Sequence, residues 1–210
     1  MTRSPFALPA RLAPWVLSVL CVLAWAPATD GSGAGPAEEL KGAIDRVLRV
    51  LEDPVLKEAP RAGERRRAVR RIADEIFDFE ETARRSMAQH WRSLTPDQRR
   101  EFVELFGELL ERAYMSKIEL YGGEKIQYRG ERVEGDYATV FTRLTTTKGT
   151  EVPIDYRMLR RSDRWRVYDV SVEGVSLVAN YRTQFNSLMR TSSADELLEK
   201  MRSRVEEIRR

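Results

Sequence analysis

Few residues of this chain are equipped for chemistry. His90 and Cys21 are the only histidine and the only cysteine in 210 residues. Metal centres of the Cys/His type need clusters of those ligands and are excluded, as is an intrachain disulfide. His90 has no serine, cysteine or aspartate motif beside it and reads as a packing or capping residue. Acid–base work in a cavity would fall to Asp155 and Asp169, which sit in strand-like runs near apolar positions. Arginine is plentiful and clustered, in RAGERRRAVRR at 61–71 and again as Arg157, Arg160, Arg161, Arg164 and Arg166 around one turn. A solvated helix face is one reading of the first cluster, and contact with an anionic surface or acidic protein is the other. The total charge is only +3, from 36 Lys and Arg against 33 Asp and Glu, and no nucleic-acid module is recognisable, so a nucleic-acid partner is not expected.

The elements that must position these groups follow from the patterning. Arg3 and Arg11 precede an apolar run, Trp15 to Trp25, that is too short to span a bilayer comfortably. Ala26 and Ala28 supply the small residues of a cleavage site. Residues 1–28 are therefore expected to be a signal peptide, 29–37 a flexible glycine-rich tether, and 38–210 a single exported domain. Helical periodicity covers 38–51, 64–77 and 79–88, the last opened by Asp78 with Glu81. Thr95-Pro96-Asp97-Gln98 is a helix start, and its helix should bury Phe102, Leu105, Phe106, Leu109 and Ala113. From Lys125 the period becomes two, and alternating runs broken by tight turns predict four antiparallel strands ending at Val172. Glu173-Gly174 then turns the chain into a helix carrying Val178, Tyr181, Phe185 and Leu188 on one face. Ser193 and Glu196 cap a last helix. The expected fold is α+β: a four-stranded curved antiparallel sheet packed against a set of helices, with an apolar cavity between them. Its apolar face, Ile126, Tyr128, Val140, Leu144, Val152, Ile154, Tyr156, Met158, Val170 and Val172, either lines that cavity or is ordinary core.

The run WRVYDVSVEGVSLVANYRTQF at 165–185 resembles the signature of the toluene-tolerance, MlaC-type family of periplasmic phospholipid carriers. FDFEETARRSM at 77–87, HWRSLTPDQRREFVELF at 90–106 and VPIDYRMLR at 152–160 extend the resemblance over nearly all of the chain beyond residue 38. It implies a carrier with no cofactor that binds one phospholipid by its acyl chains and makes or breaks no bond. The partners it implies are an outer-membrane lipoprotein complex and an inner-membrane ABC transporter with an MCE domain. Leu177, Tyr181 and Phe185 join the sheet residues as expected lipid contacts, and Arg157, Arg166 and Arg182 are expected at the headgroup or at a partner. Carriage of another apolar ligand, such as a hopanoid, and a cone-shaped isomerase or hydrolase are the alternatives.

Overall fold

Prolines and capping side chains set the helix boundaries. The computed structural model describes residues 33–209, so the expected signal peptide and residues 29–32 of the expected tether lie outside the described residues. Helix α1 (Pro36–Glu52) begins earlier than periodicity predicts, because Pro36 takes a first-turn position where its missing N–H costs nothing. Helix α2 spans Ala62–Ile76, and α3 (Phe79–Met87) opens on Asp78, whose carboxylate accepts the Glu81 N–H. A 3-10 turn at Ala88–Ser93 leads to α4 (Pro96–Glu119), where Thr95 and Gln98 form the full reciprocal capping box. Helices α5 (Leu177–Met189) and α6 (Ala194–Arg209) close the chain. Ser193 and Glu196 cap α6 reciprocally, at 3.2 and 3.0 Å.

The sheet is an antiparallel meander of β1 (Lys125–Glu134), β2 (Tyr137–Thr145), β3 (Glu151–Arg161), β4 (Arg164–Val172) and β5 (Val175–Ser176), in that spatial order. Five strands replace the expected four. Glu173 and Gly174, at φ 51° and 80°, make a two-residue hairpin that lays Val175 and Ser176 back against Val172 and Ser171. The helix expected from Val175 therefore starts only at Leu177, after Ser176 has capped it through the Ala179 N–H. On β1 the register shifts between Tyr128 and Gly130, whose φ of 135° suits glycine. No other strand of the described residues pairs with the outer edge of β1.

Helices α1 and α2 cover one face of the sheet, where Leu40, Ala43, Ile72 and Ile76 meet Val140, Met158, Trp165 and Val167. The α2–α3 junction is stitched along the outer edge of β4: the Asp78 N–H donates to the Val167 carbonyl at 2.8 Å and the Thr82 hydroxyl to that of Tyr168 at 2.9 Å. A second cluster, centred on Phe102, Phe106, Phe185, Leu197, Leu198 and Met201, holds α3, α4, α5 and α6 together. Leu51, Val69 and Met115 form a small seam joining α1 and α2 to α4. On α4, Leu105 and Leu109 are half-buried, but Ala113, expected inside, is exposed. It falls between the face that ends at Leu110 and the one Met115 turns to the seam.

Candidate functional site

The strand register gathers the expected sheet residues onto one face. Cross-strand partners stand on the same side of a sheet, and the pairing defines rows: Ala138–Met158–Val167, Val140–Tyr156–Val170, Tyr128–Thr142–Ile154–Val172 and Ile126–Leu144–Val152. Burial declines from the first row to the last. Met158, Val167 and Val140 are fully enclosed at 0% exposure beneath α1 and α2. Tyr156, Val170, Tyr128, Ile154, Ile126, Leu144 and Val152 are only half-buried, and Val172 is 42% exposed. One end of the face is sealed core, and the other is more apolar surface than the two helices cover. Ile44, Val47 and Val50 of α1 stand over it, partly buried.

The polar atoms of this face are few and confined. The Thr142 hydroxyl donates to the Ile154 carbonyl across the ladder at 2.7 Å, which hides its polarity. The Tyr128 hydroxyl is buried and has no hydrogen-bond partner among the described residues. Burial, then neighbouring Tyr156 and Asp45, raise the Tyr128 phenol well above its ordinary value. Burial alone pushes Tyr156 up to about 12. An unpartnered donor in apolar surroundings is costly, and a ligand with an oxygen acceptor would satisfy it.

The α5 residues lie elsewhere. Leu177, Tyr181 and Phe185 pack in the helical cluster, Tyr181 and Phe185 edge-on to Phe106 with ring centroids 4.9 and 5.3 Å away. Arg157 alternates onto the opposite face of the sheet, 3.5 Å from Asp169. Asp155 and Asp169 are on that opposite face too. Asp169 anchors the β4–β5–α5 corner, accepting from the Ser176 hydroxyl at 2.6 Å and the Val178 N–H at 3.0 Å. Arg166 donates to the Asp74 and Glu75 carbonyls at the end of α2, and Arg182 to the Arg85 carbonyl at 3.0 Å. The first arginine cluster is largely spent internally: Arg65 and Arg66 clasp Glu119, and Arg70 bridges Asp74 and Glu111. His90 meets the Asn186 amide oxygen at 2.9 Å. Among the described residues no group of three or more His, Cys, Asp or Glu could hold a metal, and no helix is long and apolar enough to cross a membrane.

A family model described as MlaC protein matches residues 41–203 of this chain. The chain belongs to the MlaC family. It is similar to the intermembrane phospholipid transport system binding protein MlaC of Haemophilus influenzae, with 28% identity over 120 residues, 55% of this chain and 56% of that protein. It is also similar to the toluene tolerance protein ttg2D of Pseudomonas putida, 24% identical over 137 residues, 61% of this chain and 60% of the relative. The chain thus matches somewhat over half the length of these two MlaC-family relatives. A solved structure of a phospholipid-binding protein from Ralstonia solanacearum, in complex with a phospholipid, matches with a TM-score of 0.73. The match covers 84% of this chain and all of that one at 24% identity, a likeness of fold.

Sequence reasoning missed Ala138, Thr142 and Val167 in the rows and the α1 residues above them. The alternation that picks out Val140 also picks out its neighbours two residues away, Ala138 and Thr142. Small size and a hydroxyl concealed them.

Proposed function

We propose that this MlaC-family chain is a soluble periplasmic carrier that holds a phospholipid by its acyl chains and passes it between membrane-bound complexes. The observation that carries this reading is the graded apolar face, closed under α1 and α2 at Met158 and only half-covered at Ile126, Tyr128, Leu144, Val152, Ile154 and Tyr156. Each methylene removed from water is worth about 0.8 kcal/mol, so leaving a tail of roughly 15 carbons in water costs on the order of 12 kcal/mol, of which an apolar surface recovers the share that it covers. A lipid that is held this way can leave a membrane at a useful rate. Its ester carbonyls are acceptors of the kind that the buried Tyr128 hydroxyl lacks. Family membership supports the same reading, as does the phospholipid held by the Ralstonia solanacearum protein of like fold. The expected signal at 1–28 supplies export, and an outer-membrane lipoprotein complex and an inner-membrane ABC transporter with an MCE domain are the proposed donor and acceptor.

Native mass spectrometry of the protein purified from bacteria under gentle conditions tests the proposal. One phospholipid per chain is expected. Protein recovered empty, or carrying a hopanoid in its place, overturns it.

A further inference from the structure

A second feature lies on the other side of the molecule. The end of α3, the 3-10 turn after it and the flank of α5 enclose a groove of about 570 Å3, lined by Arg84, Arg85, Arg92 and Arg182 with Ala88, Gln89 and Trp91. The lining contains no acidic residue. The nearest carboxylate, Glu81, is 2% exposed and shared among Arg84, Arg85 and Arg161 at 2.6, 2.6 and 3.4 Å. Arg161 also pairs with Asp78 at 2.8 Å, so three guanidiniums share two carboxylates, and Arg92 and Arg182 add to the excess that leaves the rim positive. Each guanidinium carries five N–H donors, and Arg85 and Arg182 each turn only Nε inward, to Glu81 and to the Arg85 carbonyl. Their forked ends are unspent.

These arginines are held in place. Arg85 stacks on Tyr168 with its guanidinium carbon 4.1 Å from the ring centre and also faces Tyr137 at 5.6 Å. Trp91 is wedged edge-on against Phe102 at 6.4 Å and offers a rigid aromatic wall. Between them Ala88 adopts φ 49° and ψ −119°, a backbone conformation an alanine holds at a cost, and such strain gathers at functional sites.

We propose that this groove docks a carboxylate-bearing, acidic segment of a protein partner. Its side of the molecule separates it from the lipid reading: Tyr137 alternates onto the sheet face opposite Ala138 and Met158, and Arg85 stacks on that side. A phosphate whose tails lie on the apolar rows does not reach it. Its concavity separates it from a membrane: a bilayer is met by convex or flat basic surface on which lysine serves as well. A lining whose charged residues are all arginine instead matches carboxylates in bidentate pairs.

The test uses the chain as its bacterial host processes it and a fluorescent hexaglutamate peptide as probe, read by anisotropy at low and physiological salt. The groove variant is Arg92→Glu with Arg182→Gln, and the control is Arg67→Glu with Arg71→Gln, an equal charge change on α2 outside the groove. The groove variant is expected to bind the peptide about tenfold more weakly, and the control to bind like wild type. Thermal midpoint and co-purified phospholipid should stay as in wild type for both. Equal weakening in both variants, or none in the groove variant, overturns the proposal. So does loss of binding to phosphatidylglycerol vesicles without loss of peptide binding, which assigns the groove to a membrane. Loss of bound phospholipid in the groove variant assigns it to the headgroup and equally overturns it. Protein purified empty in wild type bears on the lipid proposal alone and leaves the peptide comparison decisive here.

Discussion

Glu81 shows how one side chain can be both buried and charged. Burial alone would raise its carboxyl, but hydrogen bonds from Arg84 and Arg85 outweigh this and hold it below the ordinary carboxylate value. A carboxyl with a depressed folded-state value stabilises the fold above its unfolded value, and that contribution is lost as pH falls through the folded value. Glu81→Gln is therefore expected to cost about 2 kcal/mol at pH 7 and progressively less in acid, where wild type loses the same contribution. Urea unfolding of both proteins between pH 7 and pH 3 measures the convergence. Ala88 makes the opposite prediction. Glycine tolerates positive φ without the clash of a Cβ, so Ala88→Gly should raise stability by about 1 kcal/mol in the same assay.

At the scale of elements, Asp169 fixes how the sheet hands over to α5. Its carboxylate takes the Ser176 hydroxyl and the Val178 N–H together. Asp169→Ala should cost about 2–3 kcal/mol by leaving both donors unmet, visible as a lower urea midpoint with α-helical circular dichroism retained. Much of this level was legible beforehand. The Thr95–Gln98 and Ser193–Glu196 boxes and the alternation of β3 are local patterns, and each appears where the residues place it. What was not legible depends on residues far apart. Arg65 and Arg66 look like a free basic face until Glu119 arrives from α4 to pair with both. A two-residue strand such as Val175–Ser176 is too short to carry any period. The apolar face was readable as a set, whereas its division into sealed and half-open rows was not, since that depends on how far α1 and α2 reach.

At the scale of the whole molecule, the sealed and the half-open rows should respond differently to substitution. Met158→Ala removes fully enclosed volume and should cost about 3 kcal/mol of stability. Ile154→Asp places a charge on half-buried surface instead. It should lower the recovered phospholipid at least about tenfold while moving the urea midpoint less than Met158→Ala does. Native mass spectrometry and urea unfolding on the two variants separate these effects. Equal effects of both substitutions on both readings would contradict the gradient.

The kink in β1 has a consequence for life at high concentration. A long straight border strand is a template on which a neighbouring molecule can add its own, the first step of fibril growth. Here the extra residue beside Gly130 bends that border, and charged side chains of both signs, Lys125, Arg129, Glu131, Arg132 and Glu134, stud it. Two copies meeting border to border would have to desolvate those charges and straighten a glycine hinge. A protein with so much greasy surface of its own can thus remain dispersed, because the place where it would most easily seed an aggregate is bent and heavily charged.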